Sequence, residues 1–231
     1  MVRLDWRPGL GFKRPPLPWT NVIANEEFGL LVSEIGAGST WSGNSREHRL
    51  TPWSNDPQLD PPGECFYIRD EESGRFWSPL PGPAPLPVDQ EMRHGFGYSR
   101  ATMVGEGLEH RTEIFVARHD PVRFTRIHLV NRSGRPRRLS FYGMNRLVLG
   151  TTPAETARFV STGIDGMTGA LMADNRNGGD FAGRVAFADV VASRPILGRS
   201  LTADRTAFIG LHGSVAAPIA VRHGGDLDGR T

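Results

Sequence analysis

Cysteine and lysine are almost absent from this sequence: Cys65 and Lys13 are the only examples among 231 residues. A lone cysteine can form neither an intramolecular disulfide nor a cysteine-based zinc site. Its place in the predicted strand at 64–68 favours a buried, inert thiol over a nucleophile. Because lysine is so scarce, arginine supplies nearly all of the positive charge.

Long apolar runs are also missing. No stretch approaches the roughly 20 apolar residues that cross a bilayer, and the first residues lack the apolar core of a signal peptide. We therefore expect this chain to be soluble, although it can belong to a membrane-anchored parent. The net charge of only +2 gives no case for a nucleic-acid partner.

Several catalytic and cofactor motifs are absent. The glycine-rich run 95–100 lacks the third glycine of a dinucleotide loop, and no Walker lysine is present. No Gly-x-Ser-x-Gly elbow provides a serine nucleophile. The seven histidines show no metal-ligand spacing. We expect no cofactor and no metal.

Glycine and proline, by contrast, are plentiful, with 28 and 18 residues scattered between apolar runs like the turns of a β protein. The sequence predicts an all-β, antiparallel sandwich over residues 21–231 with a few short helical turns, one of them at 152–155 and another at 202–208. Residues 1–20 are predicted to be an extended arm, because Pro15, Pro16 and Pro18 oppose regular structure. Predicted strand regions are 28–35 and 39–42 as a hairpin, 64–69, 75–77, 92–148, 158–173 as a hairpin, and 184–191.

The run 39–56 combines two tryptophans with polar and charged side chains. Aromatic rings stack on the C–H faces of sugars, and planar polar groups pair with their hydroxyls. This composition fits a sugar site, and it fits equally well a structural loop whose tryptophans plug the end of the sandwich. The candidate binding residues are Trp41, Asn44, Arg46, Arg49, Trp53, Asn55 and Asp56.

The same region carries a family resemblance. The matching runs are 16–25, 28–29, 33–34, 38–46 (Gly-Ser-Thr-Trp-Ser-Gly-Asn-Ser-Arg), 49–57, 61–64, 69–74, 94–100 and 131–138. From about residue 15 onward the chain resembles the start of the phosphorylase-like region of bacterial cyclic β-1,2-glucan synthetases, a region similar to cellobiose and chitobiose phosphorylases.

The resemblance implies a β-supersandwich, similar to galactose mutarotase, followed by an (α/α)₆ barrel. In such relatives the barrel supplies the aspartate that acts as general acid during inverting phosphorolysis. No catalytic residue is therefore expected in this chain. The resemblance also leads us to expect that the chain stops before the last strands of the sandwich.

The leading hypothesis is a non-catalytic, carbohydrate-associated domain of a β-1,2-glucan-processing glycosyltransferase or phosphorylase-like enzyme. The implied partners are a glucan oligosaccharide, the barrel of the parent chain and a second copy in a homodimer. The implied location is the cytoplasmic side of a bacterial inner membrane. One alternative is a free-standing mutarotase-like enzyme that uses His94, His110 and Glu113 on a concave face. Another is a purely structural module for interdomain or dimer packing.

Overall fold

The computed structural model describes residues 1–54, 56, 58 and 61–231. The strands in chain order are β1 (Val2–Leu4), β2 (Trp6–Arg7), β3 (Gly11–Phe12), β4 (Asn21–Ala24), β5 (Phe28–Val32), β6 (Gly38–Ser42), β7 (Glu64–Asp70), β8 (Phe76–Trp77), β9 (Gln90–Gly95), β10 (Tyr98–Gly105), β11 (Leu108–Val116), β12 (Arg123–Asn131), β13 (Leu139–Asn145), β14 (Val160–Ile164), β15 (Leu171–Asn175) and β16 (Val185–Ala188). The short α-helices are α1 (Pro153–Thr156), α2 (Arg205–Ile209) and α3 (Ile219–His223), and single 3₁₀ turns cover Ala157–Phe159 and Gly179–Phe181.

Every strand pair between these elements is antiparallel. The largest sheet has the order β1-β9-β10-β11-β12, and the three-stranded sheets have the orders β4-β5-β6, β13-β7-β8 and β14-β15-β16, beside the two-stranded ribbon β2-β3. The predicted all-β, antiparallel sandwich with few short helices is thereby confirmed.

The core lies between the five-stranded sheet and two of the smaller sheets. Side chains alternate between the two faces of a strand, so one face of each sheet supplies the contacts. Ile23 and Leu30 of the β4-β5-β6 sheet pack against Met92 and Ile114 of the five-stranded sheet. Beside them, Trp77 of β8 lies in a second cluster that includes residues of β10 and β11. The β4-β5-β6 sheet therefore has an outer face that points away from the five-stranded sheet.

The first residues of the predicted arm belong to the main sheet. Strand β1 pairs with β9, with Val2 opposite Met92, and Leu4 is completely buried. The longest part of the arm without strand or helix is 13–20, which contains Pro15, Pro16 and Pro18. Proline removes a donor and fixes φ locally, and it has no effect on a strand that precedes it by about ten residues.

The predicted hairpins are confirmed: β5 pairs with β6 and β14 pairs with β15. Helix α2 begins where Asp204 caps it by accepting N–H bonds from Thr206 and Ala207 at 2.7 and 3.2 Å. Phe208 of α2 packs against Tyr67 in a cluster that also holds Val221 of α3. Helix α3 was not predicted: it has five residues, too few to show a helical period, and the Pro218 before it offers no capping side chain like that of Asp204.

Candidate functional site

The loop after β6 is anchored at both ends by one buried carboxylate. The side chain of Glu64 accepts hydrogen bonds from the hydroxyls of Thr40 at 2.5 Å and Thr51 at 2.9 Å, and it pairs with the guanidinium of Arg123. Burial lowers the pKa of Arg123 to about 10, so this guanidinium is still charged at neutral pH. We call these four residues the Glu64 anchor. It fixes the start of the loop at β6 and its return at β7.

The ring of Trp41 lies over Gly29 on the outer face of the β4-β5-β6 sheet. A Cβ atom on Gly29 of β5 would lie only 2.4 Å from Cζ2 of the Trp41 indole, and 3.0 Å from the Cβ of Ala24. The absence of a side chain at Gly29 therefore lets the indole ring cover the neighbouring strand. Trp41 is half-buried, as expected of a ring with one face on the sheet.

Arg49 lies beside Trp41 and connects the loop to a distant segment. Isolated β-bridges join Trp41 to Arg49 and Arg49 to Gly150, so the backbone at 49 continues the sheet beyond β6. The Arg49 side chain donates from Nε to the Ser45 carbonyl at 3.0 Å and from Nη1 to the Thr151 carbonyl at 3.2 Å. The loop is thus held against the residues that precede α1.

An open groove of about 240 Å³ lies at this junction. We call it the Arg49 groove, and its lining residues are Arg46, Glu47, Arg49, Thr151, Thr152 and Glu155. The carboxylate of Glu155 accepts hydrogen bonds from the hydroxyls of Thr151 and Thr152, and these bonds hold its pKa below the ordinary value. Two guanidiniums thus face two carboxylates, so the groove has no net charge at neutral pH.

The loop has a defined shape between Trp41 and Arg49. The side-chain oxygen of Asn44 accepts the backbone N–H groups of Arg46 and Glu47 at 2.8 and 2.9 Å. His48 is buried, stacks on Phe181 with ring centroids 4.6 Å apart and bonds the Ser42 carbonyl at 2.9 Å. Burial lowers the pKa of His48. In this structure Asn44 shapes the loop rather than lining the groove.

The structure separates the remaining candidates from the groove. Trp53 is 47% exposed and does not line the groove, and Asp56 accepts the backbone N–H of Gln58 at 3.0 Å. Asn55 lies outside the described residues. Of the seven sequence-predicted residues, Arg46 and Arg49 line the groove, and Trp41 meets Arg49 through a backbone bridge without lining it.

Four groove residues were missed as binding candidates: Glu47, which lies in the predicted loop, and the distant Thr151, Thr152 and Glu155. The sequence showed a capping-box pattern at 152–155, which predicts a helix start and gives no sign of a ligand. The backbone bridge between Arg49 and Gly150 joins segments about a hundred residues apart. Nothing in the sequence of either segment indicates that they meet.

The structure does not bring the mutarotase-like candidates to one place. His94 and His110 share the inner face of the five-stranded sheet, but the strand register places them four residues apart, roughly 13 Å along the strands. His94 is engaged by Ser99 and by the Trp19 carbonyl. Glu113 points to the opposite, outer face. Hydrogen bonds from Arg126 and Arg100 lower the pKa of Glu113, so these three side chains form no acid–base pair.

Two further kinds of site concern metal ions and membrane-spanning helices. No group of three or more His, Cys, Asp and Glu side chains is placed to hold a metal ion among those residues. No helix within the described ranges is long and apolar enough to cross a bilayer.

These features define a class of protein: a two-layer antiparallel β-sandwich domain with a charge-balanced polar groove at the edge of one sheet. The chain belongs to the supersandwich domain family of glycosyl hydrolase 94, whose model matches residues 11–231.

The relatives are carbohydrate enzymes. The chain is 39% identical over 222 residues to the cyclic β-(1,2)-glucan synthase NdvB of Rhizobium meliloti, covering 96% of this chain and 8% of that protein. It is 28% identical over 217 residues to the N,N'-diacetylchitobiose phosphorylase of Vibrio furnissii, covering 90% of this chain and 26% of the relative. It is 37% identical over 130 residues to the solabiose phosphorylase of Paenibacillus borealis, covering 55% of this chain and 17% of the relative. The chain therefore spans about a quarter or less of these relatives.

Proposed function

We propose that this chain is the carbohydrate-binding sandwich of a larger β-1,2-glucan-processing enzyme, and that it holds a glucan oligosaccharide in the Arg49 groove without catalysing its cleavage. One observation carries the proposal: the donors and acceptors that line the groove are balanced in charge. The backbone of Trp41 bridges to that of Arg49, so the tryptophan lies on the strand next to the groove. Membership of the glycosyl hydrolase 94 supersandwich family supports it.

The charge balance selects among ligand classes. An anion placed in the groove meets Glu47 and Glu155, and a cation meets Arg46 and Arg49, so neither gains a net attraction. A neutral sugar hydroxyl both donates and accepts, and it can bond a carboxylate and a guanidinium together. The indole of Trp41 offers an apolar surface for the C–H face of a sugar ring.

We also propose that the catalytic residues belong to the rest of the parent enzyme. Inverting glycosyl transfer needs an acid that flanks the scissile bond, and we assign that acid to an (α/α)₆ barrel of the parent chain. The printed names of the relatives, a glucan synthase and two phosphorylases, support a glycosyltransferase or phosphorylase-like parent. We also propose that the parent lies at a bacterial inner membrane with this domain in the cytoplasm, and that it assembles as a homodimer. The exposed apolar side chains of Val185 and Phe187 on β16 favour such packing.

The test is a calorimetric titration of the chain with short β-1,2-, β-1,3- and β-1,4-gluco-oligosaccharides. We expect the β-1,2-linked series to bind, and Arg49→Gln to weaken binding about tenfold, because hydrogen bonds to a charged group contribute about 1.5–3 kcal/mol. The matched control is Arg176→Gln, which removes an exposed arginine outside the groove. The proposal fails if no series binds, or if both variants weaken binding equally.

A further inference from the structure

A second polar surface lies on the opposite side of the sandwich. It is the outer face of strands β9 to β12, which points away from the core and from the Arg49 groove. Cross-strand register places Arg93, Arg100, Glu113 and Arg126 in one row on this face. A neighbouring row contains Arg111. We call this surface the arginine face.

Glu113 locks two arginines into one arrangement. One carboxylate oxygen accepts from Nε and Nη2 of Arg100 at 2.8 and 2.6 Å, and the other accepts from Nε and Nη2 of Arg126, the Nε bond being 2.9 Å. The Glu113 side chain is buried by this arrangement. Each guanidinium thus binds Glu113 through its Nε–Nη2 edge. Among the residues that the structure describes, no hydrogen-bond partner is found for Nη1 of Arg100 or of Arg126.

Aromatic rings support the same two guanidiniums. Arg100 lies over the ring of Tyr98 at 5.3 Å, and Arg126 lies over the ring of Phe115 at 5.7 Å. Phe115 stacks in turn on Phe124, with ring centroids 5.2 Å apart and planes inclined by 20°. Phe124 is 46% exposed. The donors are therefore preorganised, and an aromatic surface remains open beside them.

The charge of this surface is unbalanced. Glu91 pairs with Arg93, Glu109 pairs with Arg132, and Glu113 is shared by Arg100 and Arg126. Because Arg100 and Arg126 share the single carboxylate of Glu113, one positive charge there is unmatched. Within the described ranges Arg111 has no ion pair, and it adds a second unmatched positive charge. Five arginines thus face three glutamates, which contrasts with the balanced charges of the Arg49 groove.

We propose that the arginine face binds an acidic saccharide, namely a glycan that carries hexuronate carboxylates. The excess positive charge selects an anion, and a carboxylate matches the free edge of a guanidinium. The exposed ring of Phe124 selects a ligand that also presents an apolar face, as a pyranose does. This site is independent of the glucan site proposed above, because the two lie on opposite faces of the sandwich.

The test uses the chain with a short oligomer of glucuronic acid, a glucose oligomer of the same linkage and length, and sodium sulfate. We expect calorimetry to detect binding of the acidic oligomer alone, with affinity that falls as salt rises. Arg111→Gln and Arg126→Gln should each weaken it about tenfold, while Arg176→Gln leaves it unchanged. Arg126 is 63% exposed in its side chain, and circular dichroism checks that both variants keep the fold.

Three outcomes overturn the proposal. Equal binding of the glucose oligomer shows that charge is not recognised. Full displacement by sulfate at matched charge concentration shows a site for simple anions only. Absence of binding by the acidic oligomer to the wild-type chain shows that the face does not bind hexuronates.

Discussion

Two clusters of this domain use the same residue types and differ in burial. The Glu64 anchor joins one glutamate to Thr40, Thr51 and an arginine, and it is buried. The Arg49 groove joins Glu155 to two threonines beside two arginines, and it is open to solvent.

The difference shows what the same chemistry does in two environments. In the anchor, burial removes water, so every partner lost leaves an uncompensated charge or donor. In the groove, water can replace any partner, so these side chains contribute little to stability and can exchange their hydrogen bonds for those of a ligand. Residue composition alone therefore does not distinguish a structural cluster from a binding site.

The largest expected effect comes from removing the anchoring carboxylate. Glu64→Ala leaves the Arg123 guanidinium buried without its partner, and we expect a loss of about 3–5 kcal/mol in the free energy of unfolding. The matched change Glu155→Ala should leave the midpoint of urea unfolding unchanged. Equal losses in the two variants contradict the contrast between the clusters.

A second prediction concerns the effect of burial on a histidine, His110. Burial lowers the pKa of His110 to about 4 from an ordinary value of 6.5, so the folded protein keeps this ring neutral while the unfolded chain takes up a proton. The stabilisation is complete above pH 6.5 and is lost as the pH falls toward 4, by on the order of 2–3 kcal/mol across that window. Urea unfolding at several pH values measures it.

The control for this prediction is a histidine on the surface. His110→Gln should flatten the pH dependence between 6.5 and 4, whereas His119→Gln, which changes an exposed side chain, should preserve it. An identical slope in the wild type and in His110→Gln means that other groups cause the dependence.

A third comparison concerns the two tryptophans of the loop. Trp41→Ala uncovers Gly29 and the adjoining sheet, and we expect a loss of roughly 1–3 kcal/mol for a half-buried ring. Trp53→Ala should change stability by less than about 0.5 kcal/mol, because about half of that residue is exposed and no core cluster contains it. Thermal unfolding of both variants gives the answer, and a loss from Trp53→Ala as large as that from Trp41→Ala would falsify the assignment.

The smallest expected effect separates the two arginines of the groove. Arg46 is exposed and, among the described residues, forms an ion pair with its neighbour Glu47 at 3.3 Å, whereas Arg49 donates to two carbonyls. Arg46→Gln should weaken glucan binding less than Arg49→Gln, because a mobile side chain loses more entropy when it binds. Neither change should alter the unfolding midpoint. Stronger impairment by Arg46→Gln reverses the proposed roles.

Much of the fold follows from local sequence. The hairpin of β5 and β6, the hairpin of β14 and β15 and the short helix before Ala157 were all predicted, because turn residues and side-chain alternation act over a few neighbours. The strand β1 was missed because its partner β9 is almost ninety residues away, and three residues are too few for a pattern.

The candidate site likewise has one part that the sequence predicts and another that depends on the tertiary structure. The sequence by itself determined the all-β class, the family resemblance and the loop that carries Trp41, Arg46 and Arg49. Only the tertiary structure decided that this loop meets Thr151, Thr152 and Glu155, that Glu113 is locked between two arginines, and that His94 and His110 lie apart. The physical reason is that strand register and burial arise from contacts between segments distant in the chain, and such contacts leave no periodic trace in either segment.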